Sequence, residues 1–281
     1  MSQIACIYNY GSVYHENDWN FKIPGSVFWR IYIVSEGEAH VRIYDRVYRL
    51  RPGHMYLIPA FVPHEDMLKG SFVHRYLHFR LDDAYLEAVM DKHDLVFEIP
   101  ETAVLSDIFV RIGELCEGFE LETPIPQVYE KKSSYYYWSH RYEELPLSTR
   151  LELDGYIMVL LSHFMRVSPV RGLAANLRVE KGRAFIDRHF GEPVTVEDVA
   201  RYVNMRPESF IRAFRQEYNR TPHSCLMEKR INRAKKLLLL SAMSVKEVAL
   251  SCGFRDSSHF CMMFRRTSGV SPGVFRRGGG S

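Results

Sequence analysis

The chain has 281 residues, 46% apolar and 25% charged, the composition of a globular protein of about two domains. It has no run of 18 apolar residues. Its first residues, MSQIACIYNY, lack the regions of a signal peptide, and its five scattered cysteines form no CxxC pair. A membrane span, a secretory leader, a structural zinc and a disulfide framework are therefore not expected, and the expected setting is a reducing cytoplasm.

The net charge of +3 conceals an asymmetry. Residues 171–281 hold 21 Lys and Arg against 10 Asp and Glu, a net +11, whereas residues 1–170 hold 16 against 24, a net −8. A basic half in an otherwise balanced chain points to a polyanionic partner.

The first hundred residues read as β-structure. Phe28–Val34 is rich in aromatic and β-branched residues and stops at Glu36-Gly37. Ala39–Tyr44 and Val47–Leu50 follow, then a Pro52-Gly53 turn, Met55–Ile58, and a last run at His74–Leu81. Short strands separated by Gly, Pro and Asp turns predict a sandwich or barrel. Helical spacing then sets in at Leu105, Ile108, Phe109, Ile112 and Leu115, and again at Leu153, Tyr156, Ile157, Leu160, Leu161 and Phe164. A Pro- and Tyr-rich loop containing Tyr135–Trp138 is expected between them. The second stripe suits a core face, a dimer seam or both. A domain boundary is expected near Ser168–Gly172, where turn residues meet the change in charge, giving domains 1–170 and 171–281. From Asn176 onward the breaks divide the chain into about seven helices.

The basic half repeats itself. Thr195-Val196-Glu197-Asp198-Val199-Ala200 returns as Ser244-Val245-Lys246-Glu247-Val248-Ala249, and Phe210, Phe214, Arg215 and Pro222 return as Phe260, Phe264, Arg265 and Pro272. Thr195 and Ser244 are good helix N-caps with acidic residues just after them. Asn204 and Gly253, four residues past each Ala, suit a left-handed turn. Each copy is thus a short helix, a tight turn and a second helix: a helix-turn-helix unit, spanning about 195–218 and 244–267. Such units lay the second helix in the major groove of DNA. Arg212, Arg215 and Gln216 project from the first of these helices, and Ser257, Ser258, His259, Arg265 and Arg266 are the candidates in the second. Pro222–Leu240 suits a long basic amphipathic helix that would hold the two reading helices about one helical turn apart, ~34 Å.

Residues 176–277 resemble the AraC/XylS family of transcription regulators. The shared features are the Val-x-x-Val-Ala helices, Arg230 to Ala234, Ala249-x3-Gly253-Phe254, and Phe260-x3-Phe264-Arg265-x3-Gly269-Val270-Ser271-Pro272. The resemblance implies base-facing positions at Glu208, Ile211, Arg212 and Gln216 in the first unit, and at Ser257, Ser258, His259, Cys261 and Met262 in the second. It also implies promoter DNA, RNA polymerase and a second copy of the chain as partners. Arg206 departs from the family pattern, standing where a Ser usually caps the helix, a loss of an N-cap that offers a phosphate contact. Cys261 and Met262 stand where long polar side chains could have read bases, so the first unit is expected to carry most of the discrimination.

Gly53-x5-Pro59 followed by His64 resembles the cupin-type barrel that precedes the DNA-binding domain in this family. The fold expected is therefore a cupin-like β-barrel with accessory helices, followed by an all-α domain with two helix-turn-helix units. A small barrel can hold one small ligand. Alternation along the strands sets Arg30 and Tyr32 on one face and groups His74, Tyr76 and His78, so Arg30, Tyr32, His64, Tyr76 and His78 are the candidate effector contacts. Glu16, Asp18 and Trp19 belong to an arm that could cover such a pocket. His40, Asp45 and His64 form only an incomplete metal-cupin set, and no metal or cofactor is expected.

The reading of the whole is a DNA-binding regulator, an activator responding to a small polar metabolite such as a sugar, and not an enzyme. A metal-dependent cupin enzyme fused to a DNA-binding module, or a dimeric regulator that needs no ligand, fits the same residues.

Overall fold

The structure, a computed structural model, describes residues 3–90, 97–168 and 177–277. The expected domain boundary runs into 169–176, outside the described residues. The described residues group into two compact units, one holding 3–90 and 97–168 and one holding 177–277.

In the first unit the strands are β1 (Ala5–Glu16), β2 (Lys22–Ile23), β3 (Trp29–Gly37), β4 (Ala39–Ile43), β5 (Arg46–Leu50), β6 (His54–Ile58), β7 (His64–Met67), β8 (Ser71–Leu81) and, after helix α1 (Ala84–Met90), β9 (Glu98–Pro100). They form two antiparallel sheets, ordered β1-β8-β3-β6-β9 and β2-β7-β4-β5. One buried cluster joins them, with Tyr32, Val34, Tyr56, Ile58, Phe72 and Tyr76 from the larger sheet and Ala39, Val41 and Leu50 from the smaller. Four helices follow: α2 (Ala103–Leu115), α3 (Pro126–Tyr129), α4 (Lys132–Glu143) and α5 (Leu147–Val167). α2, α4 and α5 pack on β1. With a sheet on one side and helices on the other, all six residues from Trp29 to Val34 are buried, which explains why the strand reads as nearly continuous apolar sequence.

Two elements differ from the expectation. Residues 135–138 lie in α4, not in a loop: Tyr135, Trp138 and Tyr142 recur at helix spacing and are buried, and this apolar stripe outweighs the modest helix propensity of tyrosine. The N-terminal segment is a twelve-residue strand paired along β8. It is latched by Asp154 of α5, whose carboxylate accepts the N–H groups of Ile4 (3.2 Å) and Ala5 (2.8 Å). Of the stripe on α5, Leu153, Ile157, Leu160, Leu161 and Phe164 are buried as core.

The second unit holds seven helices among its described residues: α6 (Leu177–His189), α7 (Val196–Tyr202), α8 (Pro207–Tyr218), α9 (Pro222–Leu240), α10 (Val245–Ser251), α11 (Ser257–Ser268) and α12 (Pro272–Arg276). Its core is built from Val199, Ala200, Phe210 and Phe214 of the first repeat, their counterparts Val248, Ala249, Phe260 and Phe264, and Ile231, Ala234 and Leu238 of α9 between them.

Candidate DNA interface and effector cavity

Each repeat is a short helix closed at its start by a capping box, Thr195 with Asp198 and Ser244 with Glu247. The tight turns pass through Asn204 (φ 53°) and Gly253 (φ 78°), in the left-handed region that Asn and Gly tolerate. An equivalent hydrogen bond spans each turn: Met205 N–H to the Ala200 carbonyl (2.9 Å), and Phe254 N–H to that of Ala249 (3.1 Å).

The copies then part. α8 begins three residues after its left-handed turn residue and α11 four after. The additional residue in the second copy allows Asp256 to cap α11, accepting the His259 N–H at 2.7 Å. α8 has Arg206 at that position, with no side-chain cap, and Pro207 opening the helix. Asp256 escaped the sequence reading because its counterpart in the first copy, Arg206, does not cap its helix.

Arg206, Glu208, Ile211, Arg212, Arg215 and Gln216 are all exposed around α8, opposite Phe210 and Phe214. On α11, Ser258, His259, Met262, Arg265 and Arg266 are exposed, with Met262 61% accessible. Ser257 and Cys261 are half-buried at the edge of that face. Among the described residues no ion pair engages Arg206, Arg212, Arg215, Arg265 or Arg266, so all five guanidinium groups are available for phosphates or base edges.

The basic side chains of α9 are largely turned inward. Lys229 pairs with Asp187 (3.1 Å) and Lys235 is buried with its ammonium 5.9 Å from the Phe275 ring centre, whereas Arg233 stays exposed, 6.0 Å from the ring centre of Phe190. Arg230 is buried and donates to the carbonyls of Phe190 (2.8 Å), Glu192 (2.6 Å) and Val194 (3.0 Å). Composition made this helix look like a basic surface, but tertiary packing uses much of its charge as internal fastening.

In the first unit, register across the larger sheet sets Arg30 beside His78, Tyr32 beside Tyr76 and Val34 beside His74. Beside this row lies a cavity of about 90 Å³ lined by Tyr32, His74, Tyr76 and His78, by Ser12, Val13, His15 and Trp19 from the N-terminal stretch, and by Glu120, Leu121, Pro124 and Tyr129. That is room for several waters or a small organic molecule. Gly11 makes space for Tyr76: a β-carbon there would stand 2.6 Å from the tyrosine hydroxyl.

The cavity is rich in buried nitrogen without partners. Among the described residues, His74 Nδ1 and both ring nitrogens of His78 have no hydrogen-bond partner. Burial pushes His74 down to about 3 and His78 well below its ordinary value, the latter with help from Arg30, so both rings are neutral. His15 is held by Asp18 at 3.0 Å.

Of the five sequence candidates, Tyr32, Tyr76 and His78 line the cavity, and Trp19 of the suggested arm does so as well. Arg30 and His64 do not line it. Arg30 is 1% exposed and engages Ser26 and Glu130, while His64 Nδ1 sits 3.0 Å from the Val62 carbonyl. Sequence reading missed Ser12, Val13, His15, Glu120, Leu121, Pro124 and Tyr129, which reach the cavity from elements that alternation in β3 and β8 does not reveal. His40 pairs across from Met67, one register step from the Val41–Asp66 pair, and so lies on the sheet face opposite His64. Among the described residues no group of three His, Cys, Asp or Glu side chains is placed to hold a metal, and no helix is long and apolar enough to cross a membrane.

Two family matches cover the chain in order: an AraC-like ligand binding domain over residues 10–116 and a helix-turn-helix domain over residues 199–278. The chain is 36% identical over 122 residues to the transcriptional activator RhaS of Enterobacter sp. (strain 638), a match covering 43% of this chain and 44% of that protein, under half its length. It is 25% identical to the transcriptional regulator ExsA of Pseudomonas aeruginosa over 263 residues, 88% of this chain and 86% of that one. A solved structure of ToxT from Vibrio cholerae covers 97% of each chain with a TM-score of 0.51 at 10% identity, a likeness of fold alone. A ligand-binding barrel followed by a duplicated helix-turn-helix unit, each half matched in its own right, makes this chain a member of the AraC family of transcription regulators.

Proposed function

We propose that this protein is a transcription regulator, an activator, that binds promoter DNA as a homodimer through α8 and α11, contacts RNA polymerase, and responds to a small polar effector held in the first unit. The domain division expected from sequence, 1–170 and 171–281, would separate these two roles. The observation that carries the DNA reading is the pair of exposed helix faces bearing five unpaired arginines on a unit of surplus positive charge. Arg212, with Glu208 and Gln216 on the same face, would read base edges. Arg206, Arg215, Arg265 and Arg266 would grip phosphates, and Ser257, Ser258, His259 and Met262 would lie over the second groove segment.

The effector reading rests on the cavity and its unsatisfied histidine nitrogens, since buried polar atoms without partners each cost about 1–3 kcal/mol. A sugar is one class of polar metabolite of suitable size. Effector occupancy would then bias the DNA affinity of the second unit.

The test is selection from randomised duplex DNA with the full-length protein, with and without pooled metabolites. The expected product is a motif of two half-sites about one helical turn apart, bound with affinity that falls steeply with salt. Failure to enrich any sequence would sink the DNA reading. Enrichment that no metabolite alters would leave a ligand-independent regulator.

A further inference from the structure

Residues 118–131 lie beyond the matched ligand-binding segment, yet they form one wall of the cavity through Glu120, Leu121, Pro124 and Tyr129. Phe119, Pro126 and Tyr129 anchor the segment by burial, and polar contacts tie it to the strands. Tyr10 N–H donates to the Phe119 carbonyl (3.1 Å), Leu121 N–H donates to the Tyr76 hydroxyl oxygen (2.9 Å), and at the far end Glu130 meets Arg30. Between these points its regular structure amounts to the four-residue helix α3.

The Arg30–Glu130 contact has an unusual form. Arg30 comes from a central strand and is 1% exposed. Its Nη2 donates to Ser26 Oγ (2.6 Å) and to Glu130 Oε1, and Ser26 donates to that same carboxylate oxygen. Glu130 therefore engages through one oxygen only. Arg30 Nε, on the same edge of the guanidinium, has no hydrogen-bond partner among the described residues. A carboxylate approaching that edge side-on would take Nε and Nη2 together, the stronger bidentate arrangement. Arg30 stands behind the cavity wall, not in it: Tyr32 flanks it on the same strand face, His78 pairs directly across from it, and Tyr129, a cavity residue, interacts with the guanidinium.

A buried guanidinium without a counter-ion is strongly destabilising, so the empty protein needs an internal anion there. We propose that Glu130 is a built-in stand-in for the carboxylate of the effector: the ligand is a small carboxylate that takes Arg30 from Glu130, pairs with His74 and His78 through its other polar groups, and thereby releases residues 118–131. This deepens the effector reading and rests on it. Glu120, an exposed residue of the lining, opposes anion entry electrostatically, so an organic acid with hydroxyl or carbonyl groups, able to use the histidine nitrogens, fits better than a simple inorganic anion.

The test uses the full-length protein at matched ionic strength in sodium chloride. Thermal shift and calorimetric titration compare acetate, lactate, pyruvate and gluconate with acetamide, lactamide and glucose. At least one carboxylate is expected to bind the wild type in preference to its neutral counterpart. Its affinity should rise at least tenfold in Glu130→Gln, where the internal competitor is lost but the side-chain volume is kept, and fall at least tenfold in Arg30→Lys, which keeps the charge but removes the fork. Chloride and sulfate should not reproduce the effect. Should Arg30→Lys fail to fold, the Glu130→Gln comparison alone decides. Equal binding of neutral and charged partners, or unchanged carboxylate affinity in Glu130→Gln, overturns the proposal while leaving an effector site in place. Binding of none of the seven compounds by either wild type or Glu130→Gln overturns the proposal and removes its support from the effector reading.

Discussion

Arg230 and Gly253 meet at one cradle of carbonyl oxygens. The Arg230 guanidinium is held by Phe190, Glu192 and Val194, and a β-carbon on Gly253 would stand 2.5 Å from the Glu192 oxygen, 2.8 Å from that of Phe190 and 3.0 Å from Arg230 Nε. The turn of the second helix-turn-helix unit is thereby pressed against the loop that leads into the first. The two reading helices are tied by this fastening as well as by the length of α9.

Substitutions at this cradle should be costly and coupled. Gly253→Ala meets both a positive φ and backbone oxygens, and Arg230→Ala leaves three carbonyls short of a donor. Each is expected to lower stability by roughly 2–4 kcal/mol, and the double variant by clearly less than the sum. Denaturant melts of the four proteins of this cycle measure it, and simple additivity would argue against a shared cradle.

The two reading helices should contribute unequally to sequence choice. Arg212→Ala is expected to weaken operator binding by about 1–3 kcal/mol and relax preference at one base pair. Met262→Ala, which removes an exposed thioether on α11, should change affinity little. Footprint titrations on operator and scrambled DNA compare them, and a larger effect from Met262 would reverse the assignment of the reading role.

Arg206 occupies a capping position without capping. Arg206→Ser should raise stability by about 0.5–1 kcal/mol through a new N-cap, while lowering the salt dependence of DNA binding by about one phosphate contact. Thermal melts and a salt titration read the two effects separately. A loss of stability in this variant would show that Arg206 is held by contacts beyond the cap.

Acidification should loosen the first unit. Burial holds His64 and His74 down to about 3 and His78 well below the ordinary 6.5. The stability these groups contribute is fully present above about pH 6.5 and is lost as pH falls toward 3. Asp66 opposes them: burial lifts its carboxyl to about 8, so its contribution is present below about 3.8 and is lost as pH rises through 8. Three groups against one set a net fall in melting temperature between pH 6.5 and 4.5. His74→Phe, whose ring can keep the stack on Phe72 (4.7 Å between centroids), should flatten that fall, and an unaltered pH profile in this variant would count against a neutral buried His74.

The double helix-turn-helix unit was legible in sequence because its determinants are local and occur twice. Caps at Thr195 and Ser244, left-handed turns at Asn204 and Gly253, and core phenylalanines at fixed spacing depend on neighbours within a few residues. The exposure of Arg212, Arg215 and Gln216 follows from the same helical period. Local periodicity also set the pairing of Tyr32, Tyr76 and His78 on one sheet face, since strand alternation does not depend on what covers that face.

Only the tertiary structure decided where charge is spent and how the cavity is closed. Arg230 and Lys235 read as basic surface, but α9 packs on both repeats and turns them inward. Arg30 reads as one polar residue on a strand face, and no local pattern shows that residues 118–131 fold back across a hundred positions to place Glu130 against it. The reach of β1 along β8, and with it His15 and Trp19 at the cavity, depends on long-range pairing and on Asp154 holding the first residues of the strand. These relationships are set by which distant surfaces exclude water together, a quantity that no short window of the chain contains.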